Sequence, residues 1–405
     1  MHTTDTAGTA SAPARWGRTL AIAAVVQGIT VMGFSFVFPF LPLFIQDLGI
    51  ADPRRAALWS GIAAGVAGIV MFLSAPIWGA LSDRFGRKKN VLRGLYGGAL
   101  VMVLTGVVAN VYHLVAVRVL MGLLTGAVPA MMGLVASLAP RPRLGTAMGV
   151  LQAMMNLGNT VGPLLGAALV HGVGYRGAFF VAGGVLALMG VVVTFGIDER
   201  FTPPRQEDQQ GVVQNIRSLL TLPGIGVVLI LLFLVQFVPN VMFPVLPLFL
   251  GALAPEAKAS LAGSAFALLG ILGALGAYLS GVVGARVGVL RLLVGAPAVS
   301  VLGFIGLLVA QEAWHALAAI VVLGICQGIV AAQTSALLGQ VVPRERMGTA
   351  YGLLQSANSL GFGLGPLVGG LVAGGLGLRP VFAVNALLAL LFALVVRWKA
   401  ARVVG

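Results

Sequence analysis

A chain of 405 residues with 59% apolar and only 9% charged side chains cannot clothe itself in a water-compatible surface, which excludes a string of soluble domains and makes lipid the solvent. Open sheets would leave backbone groups unpaired in lipid, and the ten-residue alternation of an outer-membrane barrel is missing, so the apolar runs are read as helices. The formal charge of +14 takes its meaning from where the cations sit.

The first 14 residues are small and polar and lack the pattern of a cleaved secretory signal. We expect a disordered tail over 1–18 and a first span that is retained. Apolar runs long enough for a hydrocarbon core of about 30 Å then predict twelve spans, roughly at 19–46, 57–80, 91–109, 114–138, 145–170, 177–197, 224–251, 261–284, 292–310, 315–341, 348–374 and 380–397. With the N-terminus inside, nineteen Lys and Arg fall in inner loops and tails. Five fall outside (Arg54, Arg55, Arg176, Lys258, Arg379), and Arg118 lies within a span. That asymmetry predicts cytoplasmic termini, and it makes the net charge a statement about topology rather than about nucleic acid. Cys326 lies within a span and has no intrachain partner.

The chain repeats itself. Arg143-Leu-Gly-Thr-Ala-Met-Gly-Val-Leu-Gln152 recurs as Arg346-Met-Gly-Thr-Ala-Tyr-Gly-Leu-Leu-Gln355, an offset of 203 residues that persists at Arg176/Arg379 and Phe179/Phe382. Six spans separate each matching pair, so the duplication is parallel: a bundle over 19–197, a linker over 198–223, a second bundle over 224–397 and a tail over 398–405. Such duplicated bundles, related by a pseudo-twofold axis along the membrane normal, place a site at the midplane between two rocking halves.

Four motifs carry chemistry or mechanics. Between spans two and three, Gly79-Ala-Leu-Ser-Asp83-Arg84-Phe-Gly86-Arg87-Lys88-Lys89 sets one Asp among cations, with glycines that permit a tight reversal. Its copy, Gly281 to Gly288, has Ala285 in place of Asp83. In span five, Gly149, Gly158, Gly162-Pro163 and Gly166 let helices approach closely and bend, and span eleven repeats them as Gly352, Gly361, Gly365-Pro366 and Gly369. Span four holds Arg118-Val-Leu-Met121-Gly122, and span one holds Gly33 followed by Pro39-Phe40-Leu41-Pro42.

These segments resemble the loop signature, the antiporter signature and the Arg motif of the major facilitator superfamily. Trp59-Ser-Gly and Pro76-Ile-Trp-Gly79 narrow the likeness to twelve-span drug:proton antiporters, similar to multidrug exporters of the MdtG type. The resemblance implies an all-α fold of twelve helices in two six-helix bundles. It implies proton-motive force in place of a cofactor, with no catalytic residue and no metal. Small lipophilic substrates, contact with membrane lipids, no nucleic acid, function as a monomer and location in a bacterial cytoplasmic membrane go with it. It also gives a conformational latch to Gly79, Asp83, Arg84, Gly86, Arg87 and Lys88. Arg118 takes part in proton coupling or in organising the cavity; the alternative is a side chain that snorkels to the outer interface.

Every carboxylate falls in a tail, a loop or a span end, which departs from antiporters that keep one buried at mid-membrane. Asp47 is the nearest proton-coupling candidate, with His113 and Asp83 as others, and a solvated cap serves equally for Asp47. Inward faces of the first half offer Gln27, Phe34, Met155 and Asn156 to a cavity. Those of the second half offer Gln236, Asn240, Gln327, Gln333, Tyr351, Gln355 and Asn358. Lacking a cavity carboxylate, such a site is expected to suit neutral or weakly charged lipophilic compounds better than dications. The same architecture carries sugars, metabolites, siderophores or lipids, so cargo stays open. An enzyme is disfavoured because His2, His113, His171 and His315 are isolated and no metalloprotease, nucleophile-elbow or phosphate-loop motif occurs. A channel fits poorly with paired helices bent at Gly and Pro.

Overall fold

The computed structural model describes residues 12–140, 143–199, 225–341 and 347–400. Most of the predicted linker and the extreme tails lie outside the described residues. Helices follow one another throughout: α1 (Ala12–Ser35), α2 (Val37–Asp47), α3 (Pro53–Phe85), α4 (Arg87–Val107), α5 (Val111–Leu124), α6 (Ala127–Leu138) and α7 (Leu144–Gly196). The second part adds α8 (Ile225–Val241), α9 (Leu246–Leu253), α10 (Lys258–Val287), α11 (Val289–Val309), α12 (Ala313–Val341), α13 (Met347–Leu376) and α14 (Leu378–Val395). Eleven helical segments among the described residues are long and apolar enough to cross a membrane. One of them, α7, has 53 residues, about 80 Å at ~1.5 Å per residue. Gly174 (φ 71°, ψ 176°) divides it into two arms.

Local chemistry fixes where the helices begin and stop. Asp52 accepts a 3.0 Å hydrogen bond from the Arg54 amide and Pro53 fills the first turn, so α3 starts at a well-formed cap. Asn110 caps α5 through the His113 amide at 3.0 Å. Gly86 (φ 106°) reverses the chain between α3 and α4, and Gly288 (φ 89°) does the same between α10 and α11, conformations in which a Cβ would be strained. Three predicted spans are interrupted, the seventh between α8 and α9 at residues 242–245. The first breaks at Phe36 between α1 and α2, and the fourth breaks at Gly126 (φ 107°) between α5 and α6.

The sequence repeat is visible in contacts. Phe44 meets Phe179 edge-on at 4.9 Å, and Phe249 meets Phe382 edge-on at 5.0 Å. Arg176 lies over Phe44 and donates to the Gly106 carbonyl at 2.9 Å, while Arg379 lies over Phe249 and donates to the Leu308 carbonyl at 2.7 Å. Each Arg thus places a cation at the C-terminal end of a neighbouring helix, α4 or α11, where the helix dipole favours it.

Small residues decide which helices approach. In α7, Gly158, Gly162 and Gly166 face the backbone and side chains of Gly28, Met32, Ser35 and Phe36, so the first arm lies against α1. In α13, Gly361, Gly365 and Gly369 face Phe233, Phe237, Asn240 and Val241, so α13 lies against α8 in the same manner. A separate seam joins the two parts. Gly61, Gly65 and Gly68 of α3 meet Pro366, Leu367 and Gly363 of α13, and Gly263 and Gly270 of α10 meet Pro163 and Thr160 of α7. All of these seam contacts lie in the stretches of helix nearer Asp52. Large apolar side chains such as Phe195, Leu302 and Leu376 are exposed on the outside, as lipid-facing positions require.

Candidate functional site

Beyond the seam, from Met71 to Arg84, α3 lines a cavity of about 1680 Å³ between the two parts. Its first wall comes from α1 to α7, and its second from α8, α10, α12 and α13. Phe34, Met155, Asn156, Gln236, Asn240 and Gln327 are among its lining residues. The Asn240 amide nitrogen donates to the Gln236 carbonyl at 2.6 Å, and Gln152 donates to the Asn156 side-chain oxygen at 3.3 Å, so two of the lining amides are already held in place.

The remaining cavity candidates sit elsewhere. Gln27 is buried in α1 with its amide nitrogen unpartnered and off the cavity wall. Gln333 is buried and donates to the Ser280 carbonyl at 3.1 Å, tying α12 to α10. Asn358 is half-buried and off the wall. The side chains of Tyr351 and Gln355 lie outside the description. Residues that sequence reasoning did not assign to the wall include Trp78, Asn90, Arg93, Phe243, Phe266 and Phe362. For Arg93 a signal existed: it falls six residues past the start of α4, deeper than a loop cation needs to be.

Arg118 is 3% exposed. The snorkelling alternative is therefore corrected: the guanidinium turns inward rather than toward an interface. It contacts the Met121 sulfur at 3.0 Å, while Nε and Nη2 find no partner among the described residues. Met121 offers only a thioether, a weak acceptor. A side cavity of about 30 Å³, room for about two waters, adjoins Arg118 and is bounded by Phe34, Met102, Thr125 and Phe362 among others. Leaving a buried cation so poorly paired costs about a few kcal/mol or more in a membrane interior. Asp47 and His113, by contrast, are exposed near the Asp52 end and away from the cavity lining.

At the cavity's other end, Gly79, Arg84 and Arg87 line the mouth. Lys88 donates from Nζ to the Thr194 carbonyl at 2.7 Å. The two Glu199 carboxylate oxygens accept from the Arg87 and Lys88 amides at 2.9 and 2.8 Å, so a residue expected in the linker caps α4. A carboxylate at a helix N-terminus stabilises by about 1–2 kcal/mol. The side chain of Asp83 lies outside the description. In the antiporter motif, a Cβ on Gly149 would meet no atom of another element within 4 Å among the described residues, whereas Gly158, Gly162 and Gly166 make the α1 contacts given above.

A two-part helical bundle with a deep central cavity, closed at one end by a glycine seam, is the form of a solute transporter rather than of an enzyme. The chain belongs to the major facilitator superfamily, whose sequence model, described as Major Facilitator Superfamily, matches residues 23–311 and 250–403. Within that family it is similar to the multidrug resistance protein MdtG of Serratia proteamaculans (strain 568), 31% identical over 385 residues that cover 95% of this chain and 94% of the relative. The MdtG of Escherichia fergusonii is 31% identical over 389 residues, 96% and 95% of the two chains. In fold it is similar to a bacterial homolog of the human lysosomal transporter Spinster, in an inward-facing and unoccupied conformation, with a TM-score of 0.79 at 16% identity over 96% of this chain and 98% of that one.

Proposed function

We propose that the protein exports lipophilic small molecules, drugs among them, across a bacterial cytoplasmic membrane, exchanging them for protons by alternating access. The observation that carries this reading is the cavity of about 1680 Å³, open toward Arg84 and Arg87 and closed toward Asp52 by the contacts of Gly61, Gly65 and Gly68. With the cation-rich loops in the cytoplasm, the open end faces inward and the termini lie inside. Counting the two arms of α7 separately gives twelve crossings in two six-helix bundles. Cargo would enter from the cytoplasm or inner leaflet, and separation of the α3–α13 seam, with closure around Asp83 to Lys88, would release it outside.

The cavity chemistry supports broad selection by shape. Phe34, Phe243, Phe266, Phe362, Met71 and Met155 present adaptable apolar surface, while Gln236, Asn240 and Gln327 supply neutral hydrogen bonds. No Asp or Glu lines it among the described residues, so proton coupling in this reading rests on Arg118 and on Asp83 at the mouth rather than on a cavity carboxylate. One copy of the chain contains both walls, which suits a monomer.

Growth of host cells with and without the gene tests the cargo class. The proposal expects the gene to raise the inhibitory concentration of several unrelated lipophilic drugs at least fourfold. Unchanged susceptibility across such a panel, alongside altered uptake of a sugar or siderophore, would move the protein to another cargo on the same fold.

A further inference from the structure

Resting on the alternating-access reading, we infer that the break in the fourth span is a hinge of the transport cycle, held bent by Ser74, Trp78 and Arg93 as positioning residues while the mouth is open. The inference begins with three carbonyls. α5 ends at Leu124, Gly126 takes a φ of 107°, and α6 starts at Ala127. A helix that stops inside a membrane leaves its last carbonyls without backbone partners. Here side chains of two other helices take them. Ser74 Oγ donates to the Gly122 carbonyl at 2.8 Å, the Trp78 indole nitrogen to Leu123 at 2.7 Å, and Arg93 Nη2 to Thr125 at 3.1 Å. Arg93 also lies 3.7 Å from the centre of the Trp78 ring, so the donors brace one another.

The second part holds an unbroken copy of this span. Gly122 of α5 faces Ala67 and Val70 of α3, and Gly324 of α12 faces Leu269 and Leu272 of α10, which sets the register between the copies. In that register Gly126 matches Gly328, yet α12 runs as helix from Ala313 to Val341. The chemistry around the match differs. Pro129, which has no amide to give the Thr125 carbonyl, matches Ala331, and Ser74, Trp78 and Arg93 match Gly276, Ser280 and Gly295. Gly94 and Gly97 of α4, which admit Ala127 and Leu124 at the break, match Ala296 and Val299. The span breaks where proline, notch and donors occur together, and it stays whole where all three are missing.

Two of the three carbonyls have an alternative partner. In a continuous helix the Gly126 and Ala127 amides would take the Gly122 and Leu123 carbonyls; here those amides donate to no backbone carbonyl among the described residues. Side chains and amides thus compete for the same two acceptors, which makes two discrete arrangements. Thr125, facing Pro129, keeps Arg93 in both. In the bent form α6 packs on α4, α1 and α7 while α5 packs on α3, and every α3 residue from Ser74 to Ser82 except Ile77 lines the cavity. Straightened, α6 would follow α3 as α12 follows α10, where Gly328 faces the backbone of Gly273 and Ala277. That move fills the cavity beside the end of α3 that leads into the mouth.

Amide hydrogen exchange at Gly126 and Ala127, which line the cavity and are reached by water, reads the hinge on the full-length protein in phosphatidylcholine nanodiscs. Removing both side-chain donors, by Ser74→Ala together with Trp78→Phe, should favour the straight helix and slow exchange of these two amides at least about fivefold. Damage to packing alone would speed it. Ser74→Thr keeps the hydroxyl and should stay within about twofold of the unaltered protein. Gly68→Val, whose added carbons meet the Gly363 backbone and oppose the closed seam, should slow the same amides from a distance, and it decides the matter where the double variant fails to fold. Faster or unchanged exchange in the double variant overturns the inference, as does unchanged exchange in Gly68→Val. Export by the unaltered protein with no slowing in either variant would sink the hinge and leave the export reading standing; slowing without any export would do the reverse.

Discussion

Gly68→Val is expected to abolish export while leaving the protein inserted in the membrane. A Cβ built on Gly68 runs into the backbone of Gly363, and Gly363 is held on its other side by the rest of α13, so no flexible side chain can yield. The clash lies in the seam between the two parts rather than within either one. Each bundle can therefore still fold, but the arrangement with the Asp52 end closed cannot form. Transport by alternating access needs that arrangement once in every cycle. A drop in export of more than tenfold, measured with a fluorescent substrate at equal protein in the membrane, is the expected readout. Gly172→Val, where an added Cβ would meet nothing within 4 Å among the described residues, should transport normally. Normal transport by Gly68→Val would mean that the seam is not part of the cycle.

Asp83→Asn is expected to have a comparable effect by the opposite route. Asp83 closes the last turn of α3 just before Gly86 reverses the chain, at the end where Gly79, Arg84 and Arg87 line the cavity mouth. Closing that mouth brings its rim toward the second part, where the N-terminus of α13 would favour a carboxylate. The neutral amide keeps the shape and loses the charge. We therefore expect export to fall at least tenfold with insertion unchanged, and with substrate binding to the form whose mouth lies at Arg84 and Arg87 retained. Wild-type export by Asp83→Asn would remove Asp83 from the latch. The second part offers no substitute, since Ala285 stands at the matching position.

The helical architecture was legible in the chain because lipid imposes simple rules. Long apolar runs must be helices, and the repeat of the Arg143 to Gln152 segment anticipated the matching contacts of Arg176 and Arg379. Breaks inside apolar runs were not legible. Gly126 interrupts the fourth span with a positive φ, yet hydropathy runs across it without a dip. Gly61, Gly65 and Gly68 carry the small-residue spacing that close helix contact requires, but the duplicated motif of α7 and α13 drew the reading to contacts within each part. The seam between the parts comes instead from α3.

The site shows the same limit more sharply. Amides at inward positions of a helix serve a cavity and a bundle interior equally well, so Gln327 on the wall and Gln333 bonded to Ser280 look alike in sequence. Arg93 counted as one more inner cation until α4 placed it over Trp78. Arg118 drew notice as a charge within a span, yet only burial separates an interior guanidinium from a snorkelling one. Glu199 gave no sign of capping α4, because the contact spans 112 residues of chain.

The central claim is gradient-driven export through the cavity, and dye movement in inverted vesicles tests it most directly. With an inward-acid proton gradient imposed, vesicles containing the protein should accumulate a lipophilic dye, release it when the gradient is collapsed, and lose both responses in the Gly68→Val variant. Accumulation that persists after collapse of the gradient, or that matches vesicles lacking the protein, would contradict the account.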